Sequence, residues 1–298
     1  MVKRLLSANA SEIVEMTATE LKQSIKASDG RVVLSENVVT RTPVIPDITN
    51  AELARAIGAD LILLNGLDAF DPKVVNVDEE KQVINELRRL VCRPIDVKLE
   101  PVDKTATMSE EKLNIVEGRQ ASSKTVKALE KLGINFICMT GNPGTGVTND
   151  KIVNAISETR KHFTGLIIAG KMHSAGVDEP VITETYVDQF IDAGADIILV
   201  PSIGTVPGFD EEQLKNIVKA VHRREGLVMS AIGTSQESSD PSTIRDFAIR
   251  NKICGVDIQH IGDAGYCGLA PVNNIFELSK AIRGERHTVS MIARSIQR

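Results

Sequence analysis

The chain has 298 residues, of which 42% are hydrophobic and only 3% aromatic, and it contains no tryptophan. A formal net charge of −5 provides no basic surface for nucleic acid, and the scarcity of aromatic residues argues against a base-stacking platform. No stretch approaches the roughly 18 consecutive apolar residues of a membrane helix, and the N-terminal segment lacks the apolar core of a signal peptide. We therefore expect a cytoplasmic protein that binds neither nucleic acid nor membrane.

The predicted elements begin with a helix over 9–27, of the kind that commonly closes the floor of a barrel. Eight short apolar runs follow, with helical periodicity between most of them, at 31–37, 59–66, 93–101, 134–142, 164–173, 195–204, 226–234 and 255–263. Eight strand–helix units close naturally into an α/β fold, the (β/α)8 TIM barrel. We predict a single domain over 1–298, with the barrel over about 31–284, an extra N-terminal helix and a short C-terminal extension.

The third run, IDVKLE at 95–100, alternates three aliphatic with three charged residues. Helices cover the outer face of each barrel strand, where an unpaired charge would be desolvated. The charged residues are therefore predicted to point into the lumen; they are Asp96, Lys98 and Glu100. Lys98 and Glu100 lie nearest the carboxyl end of the strand and are candidate catalytic residues. The alternative is a buried ion network that only neutralises itself.

Polar and glycine residues follow the second and fourth runs. Asn65 ends the second run, and Thr140, Asn142 and Gly144 lie in the segment after the fourth. Glycine permits close backbone approach and the following helix offers amide donors, so these residues are predicted to bind substrate. The alternative is a tight turn without a ligand. The long polar segment 102–122 after the third run is predicted to be a lid or a substrate-contacting loop.

The fifth run ends in IIAGKMH, where Ala169, Lys171 and His173 share one face of a strand. Lys171 is predicted to lie near the top of the lumen as a Schiff-base nucleophile, an acid–base group or a phosphate clamp. A lysine that only pairs with a lumen carboxylate such as Glu100 is the alternative. His173 is a candidate acid–base residue.

The last three runs end in glycine-rich turns. The loops after strands seven and eight hold a substrate phosphate in many TIM barrels, through backbone amides and hydroxyl groups. The residues predicted to bind a phosphate or carboxylate at these turns are Gly204, Gly233, Thr234, Ser235, Gly262, Asp263 and Gly265.

Carboxylates near the predicted mouth of the barrel suggest one metal site. Glu36, Asp68 and Glu100 offer the oxygen ligands that Mg²⁺ prefers, although no spacing rule enforces such a site. Mg²⁺ is thus a candidate cofactor, and the sequence indicates no other.

Several segments together resemble an uncharacterised bacterial family of TIM-barrel proteins often labelled phosphoenolpyruvate phosphonomutase-like. They include KLEPVD, EGRQAS, ICMTGNPGTGVTND, IIAGKMH, ADIILVPSIGTVPG, SAIGTSQE and GVDIQHIGDAGY, and they span nearly the whole chain. The resemblance implies one barrel domain. Phosphonomutase and isocitrate-lyase enzymes hold Mg²⁺ through acidic residues, but their paired acidic motif and cysteine-bearing KxxxCG loop have no clean counterpart in this sequence.

The function we expect is a lyase or isomerase that acts on a small anionic, phosphorylated metabolite through an enolate or imine. Lys171 is predicted to be the reacting or charge-neutralising amine, with Lys98 and Glu100 setting its protonation state and His173 acting as acid–base. One alternative is a Mg²⁺-dependent phosphonomutase-like or isocitrate-lyase-like enzyme, and another is a non-catalytic barrel that binds a sugar phosphate. We expect a homo-oligomer.

Overall fold

A computed structural model describes residues 2–78 and 82–298 and shows a closed parallel barrel of eight strands in sequence order. The predicted TIM barrel is thereby confirmed. The strands are β1 (Val32–Val38), β2 (Leu61–Asn65), β3 (Ile95–Leu99), β4 (Phe136–Met139), β5 (Leu166–Gly170), β6 (Ile197–Pro201), β7 (Leu227–Ile232) and β8 (Ile258–Ile261).

The helices alternate with the strands around the outside of the barrel. After the two N-terminal helices α1 (Ala10–Val14) and α2 (Ala18–Lys26), they are α3 (Asn50–Ile57), α4 (Val83–Val91), α5 (Ser123–Leu132), α6 (Asn149–Arg160), α7 (Glu184–Ala193), α8 (Glu211–Arg223), α9 (Pro241–Cys254) and α10 (Val272–Ala293). Among the described residues, none of these helices has the length and apolarity that a membrane crossing requires.

The two ends of the chain differ in detail from the prediction. The single helix predicted over 9–27 is two helices, because Thr17 and Glu20 form a capping box that starts α2. At the other end, α10 continues beyond the predicted barrel end at 284 as far as Ala293, with an interruption at Gly284 (φ +74°). The C-terminal extension is therefore mostly helical, and its residue Met291 is buried.

Two apolar layers hold the barrel together. The outer layer lies between strands and helices, and it contains the aliphatic face of β3, namely Ile95, Val97 and Leu99. The inner layer fills the lower lumen and includes Ile13 and Leu21 of the N-terminal helices, which close the floor. The parity predicted for β3 is thus confirmed, since its charged residues occupy the lumen side.

One short motif repeats before every second strand at the floor. Glycine, an aliphatic residue and then aspartate or asparagine occupy 58–60, 133–135, 194–196 and 255–257. Each glycine has a left-handed φ that ends the preceding helix. Each polar side chain accepts the N–H at the start of the preceding strand, over 2.8 to 3.0 Å, and the pairs are Asp60 with Val33, Asn135 with Ile95, Asp196 with Ile167 and Asp257 with Val228. The motif therefore fixes the strands pairwise at their amino ends.

Candidate active site at the mouth of the barrel

A cavity of about 380 Å³ opens at the carboxyl ends of the strands, where TIM-barrel enzymes place their active sites. The titratable groups that line it come from β1, β3 and the loops that follow β3, β5, β7 and β8. They are Glu36, Lys98, Glu110, His173, Glu237 and Asp263.

Lys98 lies at the base of this cavity and is 3% exposed. Its Nζ donates to Oε1 of Glu36 over 3.0 Å and to Oδ1 of Asn142 over 2.8 Å. Burial alone would lower the pKa of Lys98, but the surrounding carboxylates, Glu36 above all, raise it above its ordinary value. Lys98 is therefore a fixed ammonium at neutral pH, and its prediction as a lumen residue is confirmed.

Glu36 joins Lys98 to a histidine that the sequence analysis missed. Burial would raise the pKa of Glu36, but Lys98 and His260 together lower it to about 2, so the carboxylate stays ionised. Oε2 of Glu36 lies 2.9 Å from Nε2 of His260, and Nδ1 of His260 has no partner among the described residues. The alternation rule applied to β3 points to His260 as well, since it shares the lumen face of β8 with Ile258.

Asn142 lies in the loop after β4 and connects the ion pair of Lys98 and Glu36 to residues at the ends of β2 and β3. Its side chain exchanges hydrogen bonds of 3.2 Å with Asn65, while its backbone N–H and its Nδ2 donate to Glu100 over 2.8 and 3.0 Å. Arg119 donates to the same carboxylate over 2.8 Å. Glu100 thus holds Asn142 where its side chain can accept a hydrogen bond from Lys98. The pairing of Glu100 with Lys171 that the sequence offered as an alternative does not form, because Glu100 pairs with Arg119 instead.

Asp263 lies opposite Lys98 and titrates near neutrality. Its Oδ2 accepts from Nδ2 of Asn65 over 2.8 Å. Burial, followed by the negative charge of Glu36, raises the pKa of Asp263 to about 7. A carboxyl group with such a pKa can both accept and return a proton at physiological pH.

Glu237 is a second carboxyl group that the sequence analysis missed. It is 1% exposed, and its Oε1 accepts the N–H of Ala264 over 2.7 Å, while Oε2 has no partner in the described parts of the chain. Burial raises the pKa of this carboxyl group. Gly262 makes room for it, since a Cβ at that position would lie 2.8 Å from Oε1. Only the tertiary fold places Glu237, which follows a loop, against the lumen.

His173 lines the cavity as a neutral imidazole. Burial and then the positive charge of Lys98 lower its pKa to about 4. Its Nδ1 accepts the N–H of Ala175 over 3.0 Å, so the neutral ring carries its proton on Nε2. The residue is therefore suited to donate a hydrogen bond to a ligand, rather than to exchange a proton at neutral pH.

The predicted position of Lys171 in the lumen is wrong. Ala169, which shares its face, packs in the outer layer, and Nζ of Lys171 donates to Glu179 over 2.7 Å. Glu179 also accepts the first N–H of α6, at Asn149. Burial lowers the pKa of Lys171, but the residue does not line the cavity. The lumen side at this level of β5 belongs to Met172.

The predicted phosphate-binding residues divide into two groups. Those that line the cavity are Gly233, Thr234, Ser235, Gly262 and Asp263, whereas Thr140, Gly144, Gly204 and Gly265 do not. The hydroxyl of Thr140 lies buried without a partner among the described residues, and Gly144 faces Leu113, Gly204 faces Phe247 and Gly265 faces the backbone of Leu269.

Several of the donors that a phosphate would need at these loops are engaged. The hydroxyl of Thr234 lies within 3.1 Å of the carbonyl of Thr205 and 2.9 Å of Oε1 of Gln236, and the N–H of Gly262 donates to Ile232. The N–H of Ala264 is taken by Glu237. A carboxyl group of the protein thus uses one of the backbone donors expected to bind a phosphate.

The predicted Mg²⁺ ligands do not meet. Glu36 is bound to Lys98 and His260, and Glu100 to Arg119 and Asn142. Asp68 lies outside the cavity, where it accepts the N–H of Phe70 over 2.8 Å. Over 2–78 and 82–298, no group of three acidic, histidine or cysteine side chains could hold a metal ion. The three residues therefore do not fit a magnesium ion.

The segment after β3 crosses one side of the cavity. Its Ser109 donates a backbone hydrogen bond of 2.9 Å to Gly176, and Leu113 donates one of 2.8 Å to Gly144. These contacts carry Glu110 into the cavity lining, while Leu113 stays 55% exposed. Hydrogen bonds to Gly144 and Gly176 thus hold the segment at one side of the cavity, and its role as a lid or substrate-contacting loop stays a prediction.

Comparisons with known proteins support the fold and the family. A Burkholderia cenocepacia J2315 protein whose lyase/mutase assignment is provisional is 14% identical, with 91% of this chain and 96% of that chain covered at a TM-score of 0.51. 2,3-Dimethylmalate lyase, a member of the PEP mutase/isocitrate lyase superfamily, is 12% identical, with 85% and 81% covered, also at 0.51. At such identities the likeness concerns the fold. No curated protein sequence matches the chain. The model of the domain of unknown function DUF7916 matches residues 6–298, and the chain therefore belongs to that family.

Proposed function

We propose that this protein is an enzyme of the lyase or isomerase class that acts on a small carboxylate-bearing metabolite through an enolate. The observation that carries the proposal is the pairing, in one cavity, of a permanently charged lysine with a carboxyl group that titrates near neutrality. Lys98 is held by Glu36 and Asn142, and Asp263 is joined to the same Asn142 through Asn65.

Removal of a proton from carbon beside a carboxylate or carbonyl develops negative charge on oxygen. An ammonium fixed before the reaction stabilises this charge without reorganisation, which is the most effective form of electrostatic catalysis. In the proposed mechanism Asp263 accepts the proton from carbon, while Lys98 and the Nε2–H of His173 hold the developing oxyanion. The enolate then expels a leaving group, in a lyase, or takes a proton back at another position, in an isomerase.

The imine version of the expected chemistry receives less support than the enolate version. A Schiff base requires an unprotonated amine, but Glu36 keeps Lys98 protonated. Lys171, whose pKa is lowered, lies outside the cavity. A phosphorylated substrate is also less favoured than a carboxylate, since a phosphate brings more negative charge into a cavity lined by carboxyl groups and several of the loop donors are engaged.

Proton exchange with heavy water tests the proposal without knowledge of the full reaction. Proton NMR of small 2-oxo, 2-hydroxy and amino dicarboxylates and monocarboxylates is recorded in D₂O with the protein. We expect loss of the signal of the carbon-bound proton beside the carboxyl group for at least one acid. Absence of exchange across the panel would contradict the proposed function.

Two lysine variants give a matched control for this experiment. Lys98→Met removes the charge from the cavity and is expected to slow exchange by about 10²- to 10³-fold, the range for loss of one oxyanion-stabilising donor. Lys171→Met removes an equally buried ammonium outside the cavity, and Glu179 keeps some contact with solvent there. Exchange should persist in Lys171→Met, and its loss there would place the reacting amine at 171 instead.

A further inference from the structure

The acidic residues of the cavity outnumber its basic residues in a way that the proposed enolate chemistry does not require. Glu36 and Lys98 neutralise each other. Three carboxyl groups remain, at Glu110, Glu237 and Asp263, and no described residue forms an ion pair with any of them. His173 is neutral at physiological pH, because its pKa is about 4. Among the described residues that line the cavity, Lys98 is the only lysine or arginine.

A buried acceptor without a partner gives a second and independent indication of a ligand. Glu237 is 1% exposed and lines the cavity, its Oε1 is fixed by Ala264, and its Oε2 has no partner in the described regions. Buried polar atoms in folded proteins nearly always have partners, so this oxygen is suited to accept a hydrogen bond from a bound molecule. Glu110 and Asp263 approach from the loops after β3 and β8, so three separate segments supply the carboxyl groups.

On the basis of the proposed function, we propose that the substrate carries a primary amino group beside its carboxylate. The carboxylate binds Lys98, and the ammonium group lies among Glu110, Glu237 and Asp263. An ammonium group has three N–H donors and can bind to the carboxyl acceptors that these three segments supply. A metal ion is a poorer match, since no group of three acidic, histidine or cysteine side chains among the described residues could hold one. The volume of about 380 Å³ limits the ligand to a small amino acid.

Proton release on binding follows from this arrangement. In the free protein, burial raises the pKa of Asp263 to about 7 and also raises that of Glu237. An ammonium ligand favours their ionised forms, so binding should release protons and tighten as pH rises through about 7. A carboxylate ligand without an amine favours the protonated forms of Asp263 and Glu237. The binding of such a ligand should therefore weaken as pH rises through about 7. The other charged or titratable groups facing Asp263 are Glu36, Lys98 and His260, and neither Glu36 nor Lys98 changes charge in this range.

Titration calorimetry with matched acids tests the proposal. The pairs are aspartate with succinate, and alanine or β-alanine with propionate, each in two buffers of different ionisation enthalpy at about pH 6 and about pH 8. We expect at least one amino acid to bind about tenfold tighter than its amine-free partner, with a preference that grows with pH and with net proton release at neutral pH. Equal or tighter binding of the amine-free member, proton uptake by the amino acid, or binding by no amino acid would each overturn the proposal.

Two neighbouring glutamates on the same loop provide a matched control. Glu110→Gln should reduce the preference for the amino acid by about three- to tenfold, because one charge-assisted hydrogen bond becomes neutral. Both glutamates are exposed, but only Glu110 lines the cavity, so Glu111→Gln should leave the preference unchanged. If both variants reduce the preference equally, the negative charge of the loop acts on binding in general. The placement of the ammonium group beside Glu110 would then be overturned.

The exchange experiment separates this inference from the proposed function. If amine-free acids exchange their protons and amino acids do not, the lyase or isomerase proposal stays intact. Only the inference that the substrate carries an amino group is then contradicted. Preferential binding of an amino acid without any exchange would leave the inference intact and contradict the enolate chemistry.

Discussion

The two ends of the barrel bury charge in opposite ways. At the floor, each aspartate of the repeated motif has a basic partner and holds a strand N–H; Asp60 binds Arg283 over 2.6 Å, Asp196 binds Arg160 over 2.6 Å and Asp257 contacts His222 over 2.8 Å. At the mouth, the carboxyl groups of Glu237 and Asp263 have no basic partner in an ion pair among the described residues.

This difference separates charged groups that stabilise the fold from charged groups that are available to bind a ligand. A buried ion pair that also anchors a backbone amide is complete within the protein. An uncompensated buried carboxyl group destabilises the folded state, which is typical of a functional site. A second cavity of about 400 Å³ lies at the floor beside His222 and Asp257, but its acidic groups are already paired, so we assign the chemistry to the mouth.

The largest effect is expected when Glu36 and Lys98 are removed together from the mouth. The double variant Glu36→Gln, Lys98→Met leaves neither buried charge without its partner, so the protein should fold, yet deuterium exchange should fall by about 10²- to 10³-fold. Circular dichroism melts and exchange rates are measured side by side. A folded double variant with normal exchange would contradict a catalytic role for the mouth.

The corresponding change at the floor should act on stability alone. Arg283→Met leaves Asp60 buried without its cation and should lower the free energy of unfolding by about 3 to 5 kcal/mol. Urea denaturation measures the loss. The exchange rate per folded molecule should be that of the wild type, and a selective loss of exchange in a stable Arg283→Met protein would mean that the two ends are coupled.

A smaller effect is expected from the pH dependence of stability at Asp263. Its pKa in the folded protein, about 7, exceeds the ordinary 3.8, so the folded state binds more protons than the unfolded chain between about pH 4 and 7. The contribution of Asp263 to the free energy of unfolding therefore decreases as pH rises through that window. The decrease is about 1.4 kcal/mol per pH unit and a few kcal/mol at most. Asp263→Asn should flatten the decline of Tm between these values and abolish exchange, whereas an unchanged pH profile would argue against the raised pKa of this carboxyl group.

The smallest effect is expected at the partly exposed floor pair of His222 and Asp257. The hydrogen bond to Asp257 raises the pKa of His222, so its contribution is present below the ordinary pKa and is lost as pH rises through the raised value. The side chain of His222 is 41% exposed, which limits the contribution to about 0.5 kcal/mol. His222→Asn should lower Tm slightly at about pH 5 and leave it unchanged at about pH 9. A loss of the same size at both pH values would show that the imidazole acts through packing.

Much of the scaffold and part of the site were predictable from alternation along the strands. Helices must cover the outer face of β3, so Asp96 and Lys98 had to face the lumen, and they do. At Lys171 the alternation also holds, but the face of the strand was assigned wrongly. The predicted fifth strand included this residue, but the strand ends at Gly170, and the aliphatic Ala169 was assigned to the wrong face.

Loop residues were beyond this kind of prediction. The sequence correctly indicated that the ends of strands three, four, seven and eight contribute to the mouth, because parallel strands present their carboxyl ends together. It did not indicate that Glu237, several residues after β7, returns to bond Ala264, or that Glu110 crosses the cavity from a long loop. Such contacts depend on packing between segments far apart in the chain.

The barrel, its helical cover and the inward direction of the charged residues of β3 follow from local periodicity, because periodicity decides which face an element buries. Which charges are neutralised depends on contacts between distant segments. The cost of a buried carboxyl group depends on whether a cation lies within a few ångströms, and distant segments provide that cation at the floor for Asp60, and at the mouth for Glu36 but not for Glu237 or Asp263.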